Sequence, residues 1–593
     1  MRFWVAFILS AGLLCGQQQD SVVVTGTAEP IPLAEADRDV SVVPLPEKQS
    51  DLFHTWFDLL QLDAALDLQE RAAGALQGDL SIRGATFGQT LVLLNGFRLD
   101  DVQTGHFNLD VPLPLEMISG IEVLKGSGSA LYGSDAIGGV VNVLTPPIEP
   151  GELRLLAGVG NFGFNQQHAV ATFGHSWWQE EMAFARDFST GFMPDRDYRN
   201  LALSSLTTLK SRLGATSLLF AYSDRPFGAN DFYGALEPQW ERTKNWFASG
   251  HQNLGDKTDI NFAFRKHTDL YVYIRDDPSY YTNHHLDDSW QGSVRRHENL
   301  PLHGVLSYGA EGLGESIQST NLGMHSRERG SGYVFYDLRS VRRYSLSAGI
   351  REEVYGAHEV ATSPSLSGAA WVSAKFKLRA SASRAFRLPG YTDLYYSSPS
   401  TVGNPNLKPE SATSYEAGAD AYLRTNLHAS LTAFERRDTN VVDYVELAGT
   451  MNYQAENLPA LHYRGVEAAA VWEPRAGQHF AVSFSALHGQ FASPENIVTE
   501  YTFTYPVYDG VIEWRGTVGK NVIARTRIGV VERVAQGPYA VWDASAGYGT
   551  GHVRPFLQLT NITSTVYQEI PLVAMPKRGV IGGVELYVFG ASR

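Results

Sequence analysis

From about Glu152 to the end of the chain, apolar and polar residues trade places at every second position. Tyr344, Leu346, Ala348 and Ile350 alternate with Ser345, Ser347, Gly349 and Arg351. Phe376, Leu378, Ala380 and Ala382 alternate with Lys377, Arg379, Ser381 and Ser383. Tyr415, Ala417, Ala419 and Ala421 do so with Glu416, Gly418, Asp420 and Tyr422. Successive side chains of a strand point to opposite faces, so this period predicts strands with one apolar and one wetted face. A half-buried sandwich strand has the same local signature. A sandwich rarely sustains it over roughly 440 residues, whereas a barrel with ~9–11 residues per tilted strand does. At about 20 residues per strand and connection, the region yields roughly 22 strands, an even number as bacterial transmembrane barrels have.

The first 150 or so residues have a different texture. Met1–Gly16 carries Arg2, an apolar run Phe3–Leu14 and a small-residue end, which predicts a Sec-type signal peptide over residues 1–16. Cys15 suggests a lipidation site, but Leu14 before it fits that signal poorly. The β-prone segment Asp20–Gly26 follows, then prolines and acids to about Glu47, giving a flexible tether over residues 17–49. Residues 50–147 read as a small α/β-like domain. Helical spacing is visible over Leu59–Leu68, a buried strand Thr90–Leu94 runs into the turn Asn95-Gly96, and strands Gly120–Leu124 and Val140–Leu144 follow. Residues 148–593 are left for the barrel. No apolar run of 18 residues occurs after the leader, so a membrane could be crossed only by strands.

Composition sharpens this picture. Charged residues make up 19% of the 593, below the usual ~25%. The 28 Tyr, 29 Phe and 11 Trp suit aromatic girdles at two membrane interfaces. A net charge of −15 argues against nucleic acid as a partner. The one cysteine lies in the leader, so a mature chain has neither disulfides nor a cysteine metal site.

Several ordered motifs resemble the TonB-dependent outer-membrane receptors: Ser81–Gly84 (SIRG), Gln89–Asp100 (QTLVLLNGFRLD) and Ile121–Thr145 (IEVLKGSGSALYGSDAIGGVVNVLT). Phe386–Pro389 (FRLP), Asn404–Glu410 (NPNLKPE), Leu559–Ile562 (LTNI), Tyr567 and Pro576–Gly579 (PKRG) extend the likeness through the barrel. The resemblance implies an all-β transmembrane barrel of 22 antiparallel strands around an N-terminal α+β plug domain, in the outer membrane of a Gram-negative-type bacterium. It implies interior ion pairs between Arg83 and Lys125 of the plug and Glu410 and Glu467 of the barrel. Lys125 stands where the family usually has arginine, and a lysine cannot make the bidentate fork; Ser127 replaces the usual proline. It also implies that Asp20, Ser21, Val22, Val23, Val24 and Thr25 form a TonB box. Such a peptide adds itself as a strand to a sheet edge of periplasmic TonB, which belongs to an inner-membrane energising complex. The box follows the leader directly, so no signalling domain is expected before it.

The other partners implied are outer-membrane lipid and a scarce small molecule, a corrinoid or a metal chelate, held on the outer face of the plug. Candidate contacts are Gln103, Thr104, His106, Phe107 and Asn108 on plug turns, Phe227, Asn230, Asp231 and Tyr233 in Phe227–Tyr233 (FGANDFY), and Tyr395 with Tyr396. The short coupling segment and compact barrel resemble the cobalamin branch more than longer siderophore receptors, leaving a ferric siderophore or a saccharide as alternatives. Gly390–Gly403 holds no histidine, which argues against haem. No cofactor is required. Asp195, Asp197, Asp224 and Asp231, with Asp187 nearby, could bind calcium, which takes 6–8 oxygens. No enzyme motif stands out. Gly158–Gly163 fits G-x-G-x-x-G, but no βαβ unit frames it and it reads as a hairpin. A passive porin or surface adhesin needs neither plug nor coupling segment. Phe589 is followed by Gly590–Arg593, where the family commonly ends on an aromatic residue.

Overall fold

The computed structural model describes residues 22–23, 25–233, 237–341, 343–356, 358–446, 452–491 and 498–590. The expected leader Met1–Gly16 and the expected box residues Asp20, Ser21 and Val24 lie outside these. Twenty-two strands, from Glu152–Gly160 to Gly579–Phe589, close into one barrel in which each runs antiparallel to the next. The first pairs with the last, Leu153 opposite Phe589 and Gly160 opposite Ile581. A further two-residue strand, Thr401–Val402, pairs parallel with Tyr453–Gln454 from within a loop.

The period-two pattern is turned inside out relative to a water-soluble protein. In strand Tyr344–Tyr355, Tyr344 is 65% and Leu346 43% exposed on the outer face, while Arg351 and Glu353 are 2% and 4% exposed on the inner one. An apolar outer face suits hydrocarbon, and closure leaves no sheet edge to solvate. One barrel end has tight turns, such as 212–213 and 255–257; the other carries long connections, such as 388–409 and 561–578. Barrels of this kind keep short turns in the periplasm and long loops outside. Gly158–Gly163 ends the first strand and makes its outward turn, with Gly163 at φ 62°.

The plug fills the lumen with a five-stranded sheet in the order Val40–Pro44, Gly120–Lys125, Gly139–Leu144, Thr90–Leu94, Phe97–Arg98. Thr90–Leu94 is buried on both faces, and Asn95 (φ 51°) with Gly96 (φ 84°) supplies the left-handed turn its hairpin needs. Leu59, Leu60, Val92, Ile121, Val123 and Val141 pack against Val170, Leu206, Ala221 and Phe247 of the barrel wall.

Two expectations need correction. The helical spacing over Leu59–Leu68 is realised as a single turn, Phe57–Leu60, after which Leu66–Glu70 pairs as a strand with Gly78–Ile82. Pairing within the plug overrides a spacing too short to sustain a helix. Nor is the tether free to Ser50, because Val40–Pro44 forms an edge of the plug sheet beside Gly120–Leu124. Its β-branched residues, set among prolines and acids, find a sheet edge to join.

Candidate functional site

Plug residues 101–110 lie below the long-loop end, and Gln103–Phe107 with Thr86–Gly88 form the floor of a cavity of ≈ 690 Å³. The sequence folds this segment on itself. Asp101 Oδ1 accepts hydrogen bonds from the backbone N–H groups of Gln103 (3.0 Å) and Thr104 (3.4 Å). Asn108 Oδ1 accepts from the Asp101 N–H at 2.9 Å, and Gly105–Phe107 makes one tight helical turn between them. His106 is held by Asp79 (2.6 Å) and stacks on Phe87 at 4.3 Å. Burial pushes the Asp79 carboxyl up, but His106 and then Arg71 outweigh it and hold it below the usual range.

Eight tyrosines stand in the wall: Tyr233, Tyr271, Tyr273, Tyr280, Tyr281, Tyr396, Tyr444 and Tyr501. Tyr233–Tyr271 (5.8 Å) and Tyr444–Tyr501 (6.3 Å) meet edge to face and Tyr273–Tyr280 (6.0 Å) stacks, which fixes ring positions by quadrupole geometry. Between them sit Glu241, Asp269, Asp443 and Glu500. Asp443 orders the loop above it by accepting from the N–H groups of Tyr501 (3.1 Å) and Thr502 (2.8 Å). Burial, then the Asp443 charge, pushes the Glu500 carboxyl up to about 7. Arg387 is the one arginine in the described lining, which has no lysine, and Arg387 is engaged by Glu410 and by Asp393 (2.7 Å). The surface thus offers aromatic faces and hydrogen-bond acceptors, with no free cation among its described residues.

Of the contacts predicted from sequence, Gln103, Thr104, His106, Phe107, Tyr233 and Tyr396 meet in this cavity. Asn108, Phe227, Asn230, Asp231 and Tyr395 are not among its lining. Asn108 clamps the floor loop. Phe227 is buried against Phe232, centroids 5.7 Å apart. The Asn230 amide donates to the Pro194 carbonyl, and Tyr395 stacks on His325 at 3.6 Å. Sequence reasoning missed Tyr271, Tyr273, Tyr280 and Tyr281, although two closely spaced tyrosine pairs around one outer loop were a usable signal. Tyr444, Tyr501 and the four acids had no local signature. Among the residues named for calcium, Asp195 and Asp197 both hold Arg275, and Asp224 holds Arg242 at 2.8 Å.

Plug and barrel are joined by charge. Arg83, its backbone in the left-handed region (φ 56°), aims its guanidinium at Glu467 (2.7 Å), Glu416 (3.0 Å) and Asp39 (3.1 Å), and lies 4.3 Å from the Phe434 ring centre. The other expected pairs differ. Lys125 takes Asp63 of the plug at 2.9 Å, and Glu410 takes Arg387 of the barrel and, across the boundary, the neutral amide of Gln89. An ammonium is a point charge and settles on its nearest carboxylate, whereas the planar fork of Arg83 can serve several. Pairs of the opposite polarity were not foreseen: Arg225, Arg265 and Arg533 of the barrel hold Asp110, Asp101 and Asp67 of the plug.

At the coupling segment, Val22–Val23 pairs with Ile31–Pro32. Thr25 is fully buried. Its N–H (2.9 Å) and hydroxyl both donate to Glu122, and Asn142 and Tyr132 donate to its hydroxyl and carbonyl. The inner end of the predicted box is therefore stowed against the plug sheet.

Comparisons with known proteins agree with this geometry. A family model described as TonB-dependent receptor-like, beta-barrel matches residues 164–562, and one described as TonB-dependent receptor plug domain matches residues 32–140. A vitamin B12 transporter BtuB of Photobacterium profundum is 27% identical over 423 residues, covering 67% of this chain and 66% of the relative, just under two thirds of its length. Another, of Vibrio vulnificus, is 23% identical over 620 residues, covering 95% and 94%. Similar solved structures include the siderophore receptor PirA of Acinetobacter baumannii (TM-score 0.74, 13% identity, 94% of this chain and 99% of that one). A mutant of the ferric enterobactin receptor PfeA of Pseudomonas aeruginosa gives 0.75, with 15% identity and coverage of 96% and 100%. At such identities these structures speak for the fold alone.

Proposed function

The chain belongs to the TonB-dependent outer-membrane receptors, and within that family we propose that it imports a corrinoid of the cobalamin type. The observation that carries this reading is the cavity lining. Ferric siderophores of the catecholate kind are anionic, and a wall of tyrosines with Glu241, Asp269, Asp443 and Glu500 and no spare guanidinium gives an anion no cation to pair with. A large uncharged ligand rich in amide groups finds stacking faces and acceptors there instead. The relatives named as vitamin B12 transporters support the same choice.

In this mechanism the ligand settles on Gln103, Thr104, His106 and Phe107 and closes against the tyrosine wall. TonB takes the segment Asp20–Thr25 as an added strand, and pulling on it breaks the Thr25–Glu122 hydrogen bonds and loosens the plug sheet beneath the ligand. No covalent step is assigned to any residue. Calcium at Asp195, Asp197 and Asp224 would have to displace Arg275 and Arg242, so ligand affinity should hold in its absence.

The test is a binding panel on the detergent-purified chain, following tryptophan fluorescence with cyanocobalamin, cobinamide and several ferric siderophores. Saturable binding of the corrinoids alone is expected, weakened roughly tenfold or more by Tyr501→Ala through lost aromatic contact. A response to a siderophore alone overturns the ligand and leaves the transport reading in place. Val23→Pro removes a main-chain donor and should abolish energised uptake with binding unchanged. Uptake at the parental rate would sink the coupling assignment.

A further inference from the structure

The floor loop is fastened at both ends to one ring. His267, on the inner face of strand Thr258–Val272, is fully buried, and its Nδ1 lies 2.9 Å from Asp101 Oδ2 at the start of the loop. Its Nε2 lies 3.2 Å from Asp110 Oδ2 at the loop's end. Directly across the strand pair from His267 stands Asp287, 2% exposed. Neither Asp287 oxygen meets a hydrogen-bond donor among the described residues, and the nearer one is 3.7 Å from His267 Nδ1, too far for a hydrogen bond. A buried carboxylate left in that condition carries a large desolvation cost, which an ion between it and its neighbours would remove.

The spacing suits such an ion. The ligand atoms of Asp101, His267 and Asp287 all lie within 4.8 Å of one another. A tetrahedral ion with bonds of about 2.0–2.2 Å holds its ligands roughly 3.3–3.6 Å apart, between the 2.9 and 3.7 Å seen at His267 Nδ1. One imidazole and two carboxylates are a donor set that zinc-class ions accept. Asp110 on the far ring nitrogen supplies the outer carboxylate that orients a metal-bound histidine, and is itself held by Arg225. One rung outward on the same strands, Asp269 and His285 line the ligand cavity, which gives an ion a way in.

We propose that Asp101, His267 and Asp287 form a binding site for a divalent ion of the zinc class, clasping the loop beneath the ligand cavity to the barrel wall. The ion is a fastening, distinct from the transported ligand, and the site stands whichever ligand the cavity takes. Asp101 serves it with Oδ2, which Arg265 Nη1 also reaches at 2.9 Å and shares with the ion, while Oδ1 shapes the turn carrying Gln103 and Thr104.

The experiment uses the full chain without a histidine tag, purified in detergent, stripped with a chelator and titrated with zinc, then with cobalt(II) read by its visible absorption. One equivalent of zinc and the intense bands of tetrahedral cobalt are expected. His267→Gln and Asp287→Asn should each weaken zinc roughly 100-fold, and Asp110→Asn about 10-fold, with the heat-modifiable folded barrel retained. His251→Gln, a half-buried histidine elsewhere on the wall, should change nothing. Absence of saturable zinc binding by the folded parental chain overturns the proposal, whatever the variants do. So does zinc binding that survives unchanged in both His267→Gln and Asp287→Asn.

Discussion

Two sectors of the plug boundary are built on opposite terms. At Arg83 one guanidinium serves Asp39, Glu416 and Glu467, and the neighbouring cations Lys125 and Arg379 keep charge in balance. The gap left between plug and wall there is only ≈ 10 Å³. Further round, where Leu52–Gly74 faces strands from Pro506–Val518 to Gly579–Phe589, a gap of ≈ 170 Å³ remains. There Asp58, Asp63, Asp67, Glu70, Asp509, Asp543 and Glu569 outnumber Arg196, Arg525, Arg527, Arg533 and Lys577. Burial, then the charge of Glu569, pushes the Glu70 carboxyl well up, and burial pushes Glu569 up to about 7. The first sector behaves as a weld and the second as a seam. A buried ion pair, Arg533 with Asp67, crosses the boundary in the second sector too, but the wider gap and the surplus of acids make that side the one where a small rearrangement costs least.

The contrast can be broken most severely at Arg83. Arg83→Ala strands three buried carboxylates and should cost about 3–5 kcal/mol of plug docking. Hydrogen exchange in Gly120–Lys125 would report it, and unchanged protection there would remove the weld. Glu467→Gln should cost less, about 1.5–3 kcal/mol, because the guanidinium keeps its other partners. In the seam the sign depends on pH. Folding favours protonated Glu569, so its contribution is complete below the ordinary carboxylate range and is lost as pH rises through about 7. Proteolytic nicking of Leu66–Glu70 should thus quicken between about pH 5.5 and 8, an effect on the order of 1–3 kcal/mol that Glu569→Gln abolishes. A flat profile in the parental chain would mean that the seam does not titrate. The smallest change expected is Lys125→Arg, within about 1 kcal/mol, since the ammonium sits on Asp63 and carries no fork to lose. A larger loss would show that Lys125 belongs to the weld.

Sequence made the barrel legible because its signal repeats: period-two alternation survives any single misread strand. The plug strands at Thr90–Leu94 and Gly120–Leu124 were equally clear, each a short apolar run ended by a turn. Val40–Pro44 was not, since an edge strand among prolines looks like linker until its partner is known. The cavity was half legible. Gln103–Phe107 sits on a motif-flanked turn, but Tyr444, Glu500 and Tyr501 come from distant loops and acquire meaning only when the barrel brings them together. Arg83 and Glu467 could be placed through family likeness, whereas Glu416 and Asp39 had no such mark. Phe227 and Tyr395 lie outside the cavity lining because an aromatic residue in a loop packs against its neighbours as readily as it faces a ligand.

The pairing of Leu153 with Phe589 also sets an order in time. A ribosome delivers the plug first and the closing strand last, so the enclosure cannot finish while its contents are being made. Until Gly579–Phe589 arrives, Glu152–Gly160 has an unpaired edge and the plug has no wall on one side. On its way to the membrane the chain therefore has strands still without partners, and whatever escorts it has two tasks: to shield those edges, and to keep the newborn plug from settling before there is a barrel to settle into.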